Sequence, residues 1–330
     1  RVGADRGRHP HRRPGSAVKP DILLLQAMPE PVEAALDAAY AVHRLHKAAD
    51  PQQLLREVGP SIRGVVTGGV KGASRALMEA LPKLEIVAVS GVGTDAVDLA
   101  HARERGIRVT TTPGVLTDDV ADMAMALILS ALRMTAFNDR FVRAGRWRAG
   151  EAPPLARKVT GRRLGILGLG QIGRAIARRA EGFSMEIAYT DLKPLPGCAY
   201  RFEPELRALA EASDMLVVAA SGGEQSRGIV GRAVLDALGP RGFLVNVARG
   251  SVVDEAELVA ALAEKRLGGA GLDVFLDEPN VPEALLGMDN VVLQPHRASA
   301  TEETRLAMGQ VVLDNLAAQF AGRPLPSAVV

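Results

Sequence analysis

The sequence predicts an α/β protein built on parallel sheets with helices on both faces. Short apolar runs alternate with helical segments along most of the 330 residues, and strands joined through helices run parallel. Several of these runs end in glycine-rich turns, which is where open parallel sheets bind ligands. These observations also predict that the functional residues lie in the loops after the strands.

The first series of strands and helices covers residues 20–115 and forms one small α/β unit. Its helical segments include residues 31–41 and 73–80. Thr117 is the expected N-cap of a long apolar helix over 117–132, because Asp118 and Asp119 follow it in the first turn. Strands are predicted at four apolar runs, namely 22–25, 64–67, 85–89 and 108–110.

A second series follows an irregular stretch, residues 144–162, which contains several glycines and prolines. A helix is predicted at 172–180, directly after the first strand of this series. Ser299-Ala300-Thr301-Glu302 has the form of a capping box, which predicts a final helix ending near Phe320. Strands are predicted at six apolar runs, namely 164–167, 186–189, 215–219, 243–247, 271–274 and 291–293.

Composition excludes several other classes of protein. An apolar content of 47% with 24% charged residues fits an ordinary soluble protein with real cores. The single cysteine, Cys198, rules out an internal disulfide framework and suits a reducing compartment, so we expect a cytoplasmic protein. No apolar run approaches the roughly 18 residues of a membrane span. We therefore expect no membrane partner, no secretory signal and no metal site.

Positive charge is concentrated at the start of the chain. The first 20 residues carry a net charge of +5, and the rest of the chain carries −3. A basic arm can bind nucleic acid, but this one has no aromatic residue that could stack on bases. We therefore expect residues 1–19 to be a disordered basic extension, and we expect no nucleic-acid partner.

A six-residue segment, Gly-Leu-Gly-Gln-Ile-Gly, matches the G-x-G-x-x-G pattern of dinucleotide-binding turns. The pattern alone is weak in a chain with 34 glycines, but here it follows a predicted strand and opens a predicted helix. Gly168 permits the tight turn, Gly170 lets the backbone approach a pyrophosphate, and Gly173 lets helix and strand pack closely. The N–H groups at the start of the helix would bind the phosphates. The motif predicts a dinucleotide site that also includes Gln171 and Ile172.

Asp191 follows the next predicted strand, 18 residues after Gly173. An acid at this place accepts hydrogen bonds from the adenosine ribose hydroxyls. Its carboxylate would repel a 2′-phosphate, and no arginine stands beside it, which favours NAD over NADP. Lys193 could neutralise such a phosphate, so NADP stays open.

Three chemically matched side chains follow three other strands of the second series. Arg249 stands just after one strand, Glu278 in the loop after another, and His296 after a third. An arginine can hold a carboxylate, a histidine can donate a proton to a carbonyl oxygen, and a carboxylate can orient that histidine. Because ligands bind at the carboxyl ends of parallel strands, we expect all three at the dinucleotide edge. This set suits hydride transfer to a 2-keto acid.

From about residue 60 onward the chain resembles the D-isomer-specific 2-hydroxyacid dehydrogenase family, most closely its glyoxylate/hydroxypyruvate reductase branch. The resemblance is specific because several independent motifs occur in the family's order. These motifs lie at 90–95, 164–173, 246–253, 271–279 and 295–301.

The resemblance implies two Rossmann-like or flavodoxin-like parallel-sheet domains, with the coenzyme domain inserted into the substrate domain. The substrate domain would comprise residues 20–118 and 299–330, and the coenzyme domain residues 119–298. The family also implies a homodimer formed largely through the coenzyme domain. Trp147 would reach the partner's active site or pack in the interface.

The resemblance also implies a role for each site residue. Arg249 would bind the substrate carboxylate together with the backbone N–H groups of Val92 and Gly93. His296 would be the acid/base, and Glu278 would hydrogen-bond it. Further coenzyme contacts are implied for a set of loop residues after the strands, namely Ser221, Gly222, Val247, Ala248, Asp273 and His296 itself.

The implied reaction is NAD(P)H-dependent reduction of a small 2-keto acid, of the glyoxylate or hydroxypyruvate type, to the D-2-hydroxy acid. Reduction of hydroxyphenylpyruvate and a phosphoglycerate-type dehydrogenase remain alternatives within enzymes. A dinucleotide-sensing protein of the corepressor type is the alternative from another class, because fold alone does not determine function.

Arg297 departs from the family pattern, in which the residue after the histidine is small or apolar. It would either place a second cation near the pocket mouth, favouring substrates with an extra polar or anionic group, or form an ion pair with a nearby carboxylate. Three other histidines, His43, His46 and His101, match no motif, and we expect them at the surface.

Overall fold

The computed structural model describes residues 19–330 and contains two sheets whose strands all run parallel. Of the predicted basic extension, only Lys19 belongs to the described residues. The predicted fold class is confirmed, because each sheet is built from strands that alternate with helices along the chain.

The first sheet has five strands in the order β2-β1-β3-β4-β5. The strands are β1 (Asp21–Leu24), β2 (Ala41–Arg44), β3 (Ile62–Gly68), β4 (Ile86–Ser90) and β5 (Arg108–Thr110). The helices between them are α1 (Glu30–Ala39), α2 (Pro51–Val58), α3 (Arg75–Glu79) and α4 (Leu99–Glu104). The strand order reverses between β1 and β3, which opens a crevice outside their carboxyl ends.

The second sheet has seven strands in the order β12-β11-β10-β9-β6-β7-β8. The strands are β6 (Arg163–Leu167), β7 (Glu186–Thr190), β8 (Arg201–Phe202), β9 (Met215–Val218), β10 (Phe243–Asn246), β11 (Gly269–Leu272) and β12 (Val291–Leu293). Its order reverses between β6 and β9, and this is the switch point at which doubly wound sheets bind dinucleotides.

Residues 19–330 contain eight further α-helices. They are α5 (Thr117–Arg133), α6 (Thr135–Arg143), α7 (Gln171–Glu181), α8 (Leu206–Glu211), α9 (Arg232–Leu238), α10 (Glu255–Ala263), α11 (Glu283–Leu286) and α12 (Glu302–Phe320). Among residues 19–330, no single helix is long and apolar enough to cross a membrane. Helices α5 and α6 have sufficient length and apolarity only when taken together, and the pair is bent by 60°.

Each of the two longest helices of residues 19–330 packs on a different sheet. Helix α5 buries Val120 and Ile128 in the core of the second sheet, together with Ile166 of β6. Helix α12 buries Val312 and Leu316 in a core of the first sheet. The segment that builds the second sheet is thus inserted between two parts that build the first. The predicted boundary at 118/119 falls inside α5, and both domain limits stay predictions.

Two predicted helix caps are wrong. Thr117 is the first residue of α5, and its N-cap is Leu116, which makes no side-chain hydrogen bond. At α12 the cap is Thr301, whose hydroxyl accepts from the backbone N–H of Thr304 at 3.2 Å. Ser299 therefore does not begin a capping box.

The ends of some elements also differ from prediction, because small or half-buried residues give no apolar pattern there. The predicted helix over 31–41 ends at Ala39, because strand β2 follows it at an edge of the first sheet with no fully buried residue. Strand β11 begins at Gly269, two residues before its predicted start. Gly271 has no side chain because a Cβ there would lie 2.9 Å from the Cβ of Leu127 in α5. The close packing of α5 thus requires a glycine at a position where an apolar residue would have identified the strand.

Candidate active site

The carboxyl ends of both sheets open onto one shared cavity of about 250 Å³. The first sheet contributes residues that directly follow β1, β3 and β4, including Gln26, Gly69 and Val92. The second sheet contributes residues that follow β10, β11 and β12, including Arg249 and His296. The prediction that the strand-end residues meet at one edge is therefore confirmed, and the cavity lies between the two sheets.

Arg249 spans the two halves of this cavity. Its Nε donates to both carboxylate oxygens of Asp95, at 3.1 and 3.2 Å, and its Nη1 donates to the main-chain oxygen of Ala248 at 2.7 Å. Glycines make room for the side chain, since a Cβ at Gly93 would lie 1.7 Å from Nη2 and one at Gly222 2.8 Å from Cγ. The guanidinium is thus fixed by Asp95, a residue whose role sequence reasoning missed although it ends the 90–95 motif.

Hydrogen-bond donors remain free beside this guanidinium. Within residues 19–330, Arg249 Nη2 and the backbone N–H groups of Val92 and Gly93 donate to no protein acceptor. A carboxylate accepts two such donors at once, and a charged arginine strengthens the bonds. The three predicted substrate-binding residues therefore form one set that can hold a carboxylate.

His296 and Glu278 also line this cavity, and their side chains form a close pair. Nδ1 of His296 lies 2.7 Å from Oε2 of Glu278, and Oε1 of Glu278 accepts from the backbone N–H of Phe275 at 3.1 Å. Burial alone would raise the pKa of Glu278, but the hydrogen bond and charge of His296 outweigh it and hold that pKa below its usual value. The carboxylate stays ionised, and Nε2 of His296 is left for a substrate oxygen.

Asp273 holds the loop that carries His296. Its buried carboxylate accepts from the backbone N–H groups of Arg297 at 2.7 Å and Ala298 at 3.0 Å, and its main-chain oxygen accepts from His296 N–H at 2.8 Å. These bonds fix His296 at a φ of 52°, a left-handed conformation that is uncommon outside glycine. Burial raises the pKa of Asp273. Its implied contact with the coenzyme stays a prediction.

The glycine-rich turn after β6 has the shape that a dinucleotide needs. Gly168 has a φ of +89°, and a Cβ there would lie 2.6 Å from the Cα of Ala220. A Cβ at Gly173 would lie 2.1 Å from the main-chain oxygen of Gly168, whereas one at Gly170 would meet nothing within 4 Å. Helix α7 starts at Gln171 without a side-chain cap, so its first N–H groups are open to an anion. The residues fit a pyrophosphate at this turn.

A second cavity, of about 910 Å³, extends from this turn along the ends of β6, β7 and β9. Asp191 lines it and is anchored there, because its carboxylate accepts from the backbone N–H groups of Leu169 at 2.9 Å and Leu192 at 2.8 Å. The size and position of this cavity suit the adenosine half of a dinucleotide.

The predicted coenzyme residues separate into three groups in the structure. Gly168, Gly170, Asp191, Ser221 and Gly222 line the larger cavity. Ile172, Val247, Asp273 and His296 line the smaller one. The remaining three, Gln171, Gly173 and Ala248, line neither cavity. Gln171 is the first residue of helix α7, and Gly173 lets that helix pack closely on the turn. The main-chain oxygen of Ala248 accepts a hydrogen bond from Arg249.

Some expectations about other residues were wrong. Arg297 is exposed and forms no ion pair within 4 Å among the described residues, so the ion-pair alternative is wrong. A place near the pocket mouth stays a prediction for Arg297, but it is absent from the lining of the cavity itself. Instead Arg305, on the first turns of α12, lines the cavity. His101 is buried, with neither ring nitrogen hydrogen-bonded to a described residue. Residues 19–330 contain no cluster of three His, Cys, Asp or Glu side chains that could hold a metal ion.

Comparison with known proteins identifies close relatives over almost the whole chain. The chain is 47% identical over 312 residues to a 2-ketogluconate reductase of Gluconobacter oxydans (strain 621H), covering 94% of this chain and 99% of the relative. It is 48% identical over 309 residues to the glyoxylate/hydroxypyruvate reductase A HPR2 of Arabidopsis thaliana, covering 94% and 98%. It is 47% identical over 309 residues to a hydroxyphenylpyruvate reductase of Plectranthus scutellarioides, also covering 94% and 98%.

A solved structure and a domain family agree with these relatives. The NADPH-dependent glyoxylate/hydroxypyruvate reductase of Sinorhizobium meliloti, in complex with NADP and malonate, superposes with a TM-score of 0.89 at 44% identity, covering 94% of this chain and 97% of that one. Residues 125–298 match the NAD binding domain of D-isomer specific 2-hydroxyacid dehydrogenases. Together with the site geometry, these similarities show that the chain belongs to the D-isomer-specific 2-hydroxyacid dehydrogenase family.

Proposed function

We propose that this protein reduces a small 2-keto acid of the glyoxylate or hydroxypyruvate type to the D-2-hydroxy acid, with a reduced nicotinamide dinucleotide. The observation that carries the proposal is the cavity shared by Arg249 and the His296–Glu278 pair, next to the glycine-rich turn. Membership of the family makes the protein an oxidoreductase acting on such acids.

Substrate binding would depend on the free donors beside Arg249. The guanidinium is held by Asp95 on one side, and its Nη2 can donate to the substrate carboxylate together with the N–H groups of Val92 and Gly93. Positioning of this kind places the keto group next to His296 without further ordering cost at the moment of reaction. The same cation also draws electron density from the keto carbon.

Proton transfer would come from His296. The ionised Glu278 stabilises the protonated imidazole, whose Nε2–H donates to the carbonyl oxygen as that oxygen gains negative charge. The bound coenzyme supplies the hydride that the keto carbon accepts. The new C–H and O–H bonds complete the hydroxy acid, and His296 is left neutral until it takes a proton from solvent.

NAD(H) is the coenzyme that we propose, because the carboxylate of Asp191 is fixed at the edge of the larger cavity by two backbone N–H groups. A negative charge held there favours ribose hydroxyls over a 2′-phosphate. The Sinorhizobium meliloti relative is NADPH-dependent, so the choice varies within the family, and Lys193 keeps NADP(H) as the alternative.

We further propose a homodimer in the cytoplasm. The exposed apolar side chains on and after helix α6 support the dimer, since Trp147 is 69% exposed, Val142 54% and Leu155 98%. Apolar surface of this kind often marks a protein interface. The lone cysteine, Cys198, is consistent with a reducing compartment. Whether Trp147 enters the partner's active site remains part of this proposal.

Initial rates of NADH and NADPH oxidation test the proposal, each measured with glyoxylate, hydroxypyruvate and hydroxyphenylpyruvate. We expect turnover of glyoxylate or hydroxypyruvate, faster with NADH, and a gain in relative NADPH use on Asp191→Ala. The relative from Plectranthus scutellarioides makes preference for hydroxyphenylpyruvate the competing result. Tight coenzyme binding without turnover of any acid would instead support a dinucleotide-sensing protein.

A further inference from the structure

Glu278 lies on a loop, residues 273–280, that contains neither helix nor strand. Its carboxylate makes two contacts: Oε1 accepts from the backbone N–H of Phe275 in the same loop, and Oε2 lies 2.7 Å from Nδ1 of His296. Because the carboxylate is bonded to the loop backbone, its distance from His296 depends on where that backbone is held. Loops without regular structure open easily unless neighbouring segments hold them.

A single hydrogen bond from outside the loop holds its backbone near Glu278. The backbone N–H of Leu276 donates to Oε2 of Glu255 at 2.9 Å. Among residues 19–330, this is the one hydrogen bond between the backbone of residues 275–278 and another segment of the chain. A charged acceptor makes the bond stronger than one to a neutral group. The loop is therefore fixed two residues before Glu278.

Glu255 is itself held in place by the start of helix α10. It is the first residue of that helix, and the N-cap Asp254 accepts from the backbone N–H of Glu257 at 3.1 Å. The backbone N–H of Asp254 donates to the main-chain oxygen of Val230, and Leu258 in the first turn of the helix is buried. The carboxylate of Glu255 thus reaches the loop from a capped and anchored element.

Gly250 packs the same loop against the segment that carries Arg249. A Cβ at Gly250 would lie 1.9 Å from the main-chain carbonyl carbon of Phe275 and 2.3 Å from the main-chain nitrogen of Leu276. Only a glycine allows this approach of the two backbones. The hydrogen bond from Glu255 therefore acts at a place where the loop already touches its neighbour, and the two contacts together define the position of the loop.

Glu255 has no direct route to the reacting groups. It is absent from the lining of the three cavities near the strand ends, which have volumes of about 250, 540 and 910 Å³. Its carboxylate forms no ion pair within 4 Å among the described residues. An acid in the first turn also stabilises a helix through the helix dipole, and that role needs only its charge. The bond to Leu276 needs instead an acceptor atom at the right reach.

Resting on the proposed function, we propose that Glu255 is a positioning residue for Glu278 and, through it, for the protonated His296. It holds the loop so that the Glu278 carboxylate stays bonded to Nδ1 of His296. Without this hydrogen bond the loop opens more often, and the carboxylate stabilises the imidazolium for a smaller part of the time. Turnover then depends on Glu255, whereas the binding of the keto acid by Arg249 does not.

The pH dependence of hydroxypyruvate reduction tests this role, measured with the coenzyme that the wild type uses faster. For Glu255→Ala we expect kcat to fall about fivefold, with KM for hydroxypyruvate within about twofold, because one charge-assisted hydrogen bond is lost. The alkaline decline of kcat should move toward acid by about half a pH unit. Glu255→Asp keeps the charge but is one methylene too short, so it should show the same changes even where the alanine variant loses its fold.

Glu255→Gln makes the opposite change, since it loses the charge and keeps an acceptor at the same reach. It should restore most of the turnover and the pH profile of the wild type. Glu257→Ala, which removes another acid from the first turn of α10, is the matched control and should lower the Tm without moving the pH profile. In a Glu278→Gln background, Glu255→Ala should move the alkaline decline no further, because both changes act on one contact.

Three results would overturn the role of Glu255. In the first, Glu255→Gln loses as much turnover as Glu255→Ala, which would show that the helix charge accounts for the effect. In the second, folded Glu255→Ala and Glu255→Asp keep the kcat and the pH profile of the wild type. In the third, Glu255→Ala shifts the profile equally with and without Glu278→Gln. Wild-type turnover of hydroxypyruvate in the same assays leaves the proposed function standing in each case, and only its absence would reject both.

Discussion

His296 depends for its position on the backbone of its loop as well as on Glu278. The left-handed conformation at His296 is held by three hydrogen bonds to Asp273, one to its main-chain oxygen and two to its carboxylate. Strained conformations of this kind are found at active sites, where the surrounding structure stabilises them. The Asp273 carboxylate therefore acts first as a support for the loop that carries His296.

Glu278→Gln tests whether the charge of Glu278, and not only its hydrogen bond, supports His296. The pKa of Glu278 is lowered, so the stabilisation from this pair is present above the ordinary pKa of glutamate and is lost as the pH falls through the lowered value. Without the charge, the protonated imidazole is less stable, and the alkaline decline of kcat for reduction should move toward acid by about one pH unit.

The control for this pH profile is Glu283→Gln, which removes an exposed carboxylate in α11. It should leave the profile where the wild type has it. A Glu278→Gln enzyme with an unshifted alkaline limb would show that Glu278 only orients the ring.

Sequence reasoning found the residues that follow strands and missed those that reach the site through packing. Arg249, Glu278 and His296 were predictable because the ends of parallel strands meet at one edge. Arg305 was not, since it lies within a helix, away from any strand end or glycine motif, and an arginine in such a place is mostly a surface residue. Asp95 became visible only when the two sheets were placed together, because its partner Arg249 is 154 residues away.

At the scale of elements, two glycines of the turn between β6 and α7 are required for different reasons. Gly170 faces open space, whereas Gly173 packs against the main-chain oxygen of Gly168. Gly170→Ala should therefore fold normally and lose coenzyme affinity, because its methyl group occupies the approach to the pyrophosphate. Gly173→Ala should lower the Tm by several degrees, because helix α7 must move away from β6.

Thermal unfolding and coenzyme titration of both variants separate these effects. Equal losses of Tm in Gly170→Ala and Gly173→Ala would contradict the division between a binding glycine and a packing glycine. A Gly170→Ala protein with wild-type coenzyme affinity would contradict the placement of the phosphates at this turn.

Elements were predictable where an apolar run or a glycine motif marked them, and less so elsewhere. Helix α5 and strand β6 match their predicted positions. Strands β2 and β8 lie at sheet edges, with no fully buried residue, and gave no apolar run to find. The start of β11 was missed because glycines stand where apolar residues would identify a strand. These glycines make room for neighbouring elements, and the sequence of β11 alone does not show those neighbours.

At the scale of the whole molecule, the arrangement of two switch points explains why the site lies where it does. The crevice between β1 and β3 opens beside Gln26 and Gly69, and the crevice between β6 and β9 opens beside the glycine-rich turn. The alternation of strands and helices predicted both sheets, and the family resemblance implied the insertion. The pairing of Arg249 with Asp95, which joins the two halves, needed the folded chain.

The turnover of a His296 variant tests the central claim most directly. His296→Asn is the suitable change, because asparagine tolerates the left-handed backbone that this position requires. We predict that kcat for reduction of hydroxypyruvate falls by about 10²–10⁴-fold, while the Kd for NADH stays within about threefold of the wild type. His43→Asn, which changes a histidine of edge strand β2, should retain wild-type turnover. A His296→Asn enzyme that turns over hydroxypyruvate as fast as the wild type would contradict the assignment of His296 as the proton donor.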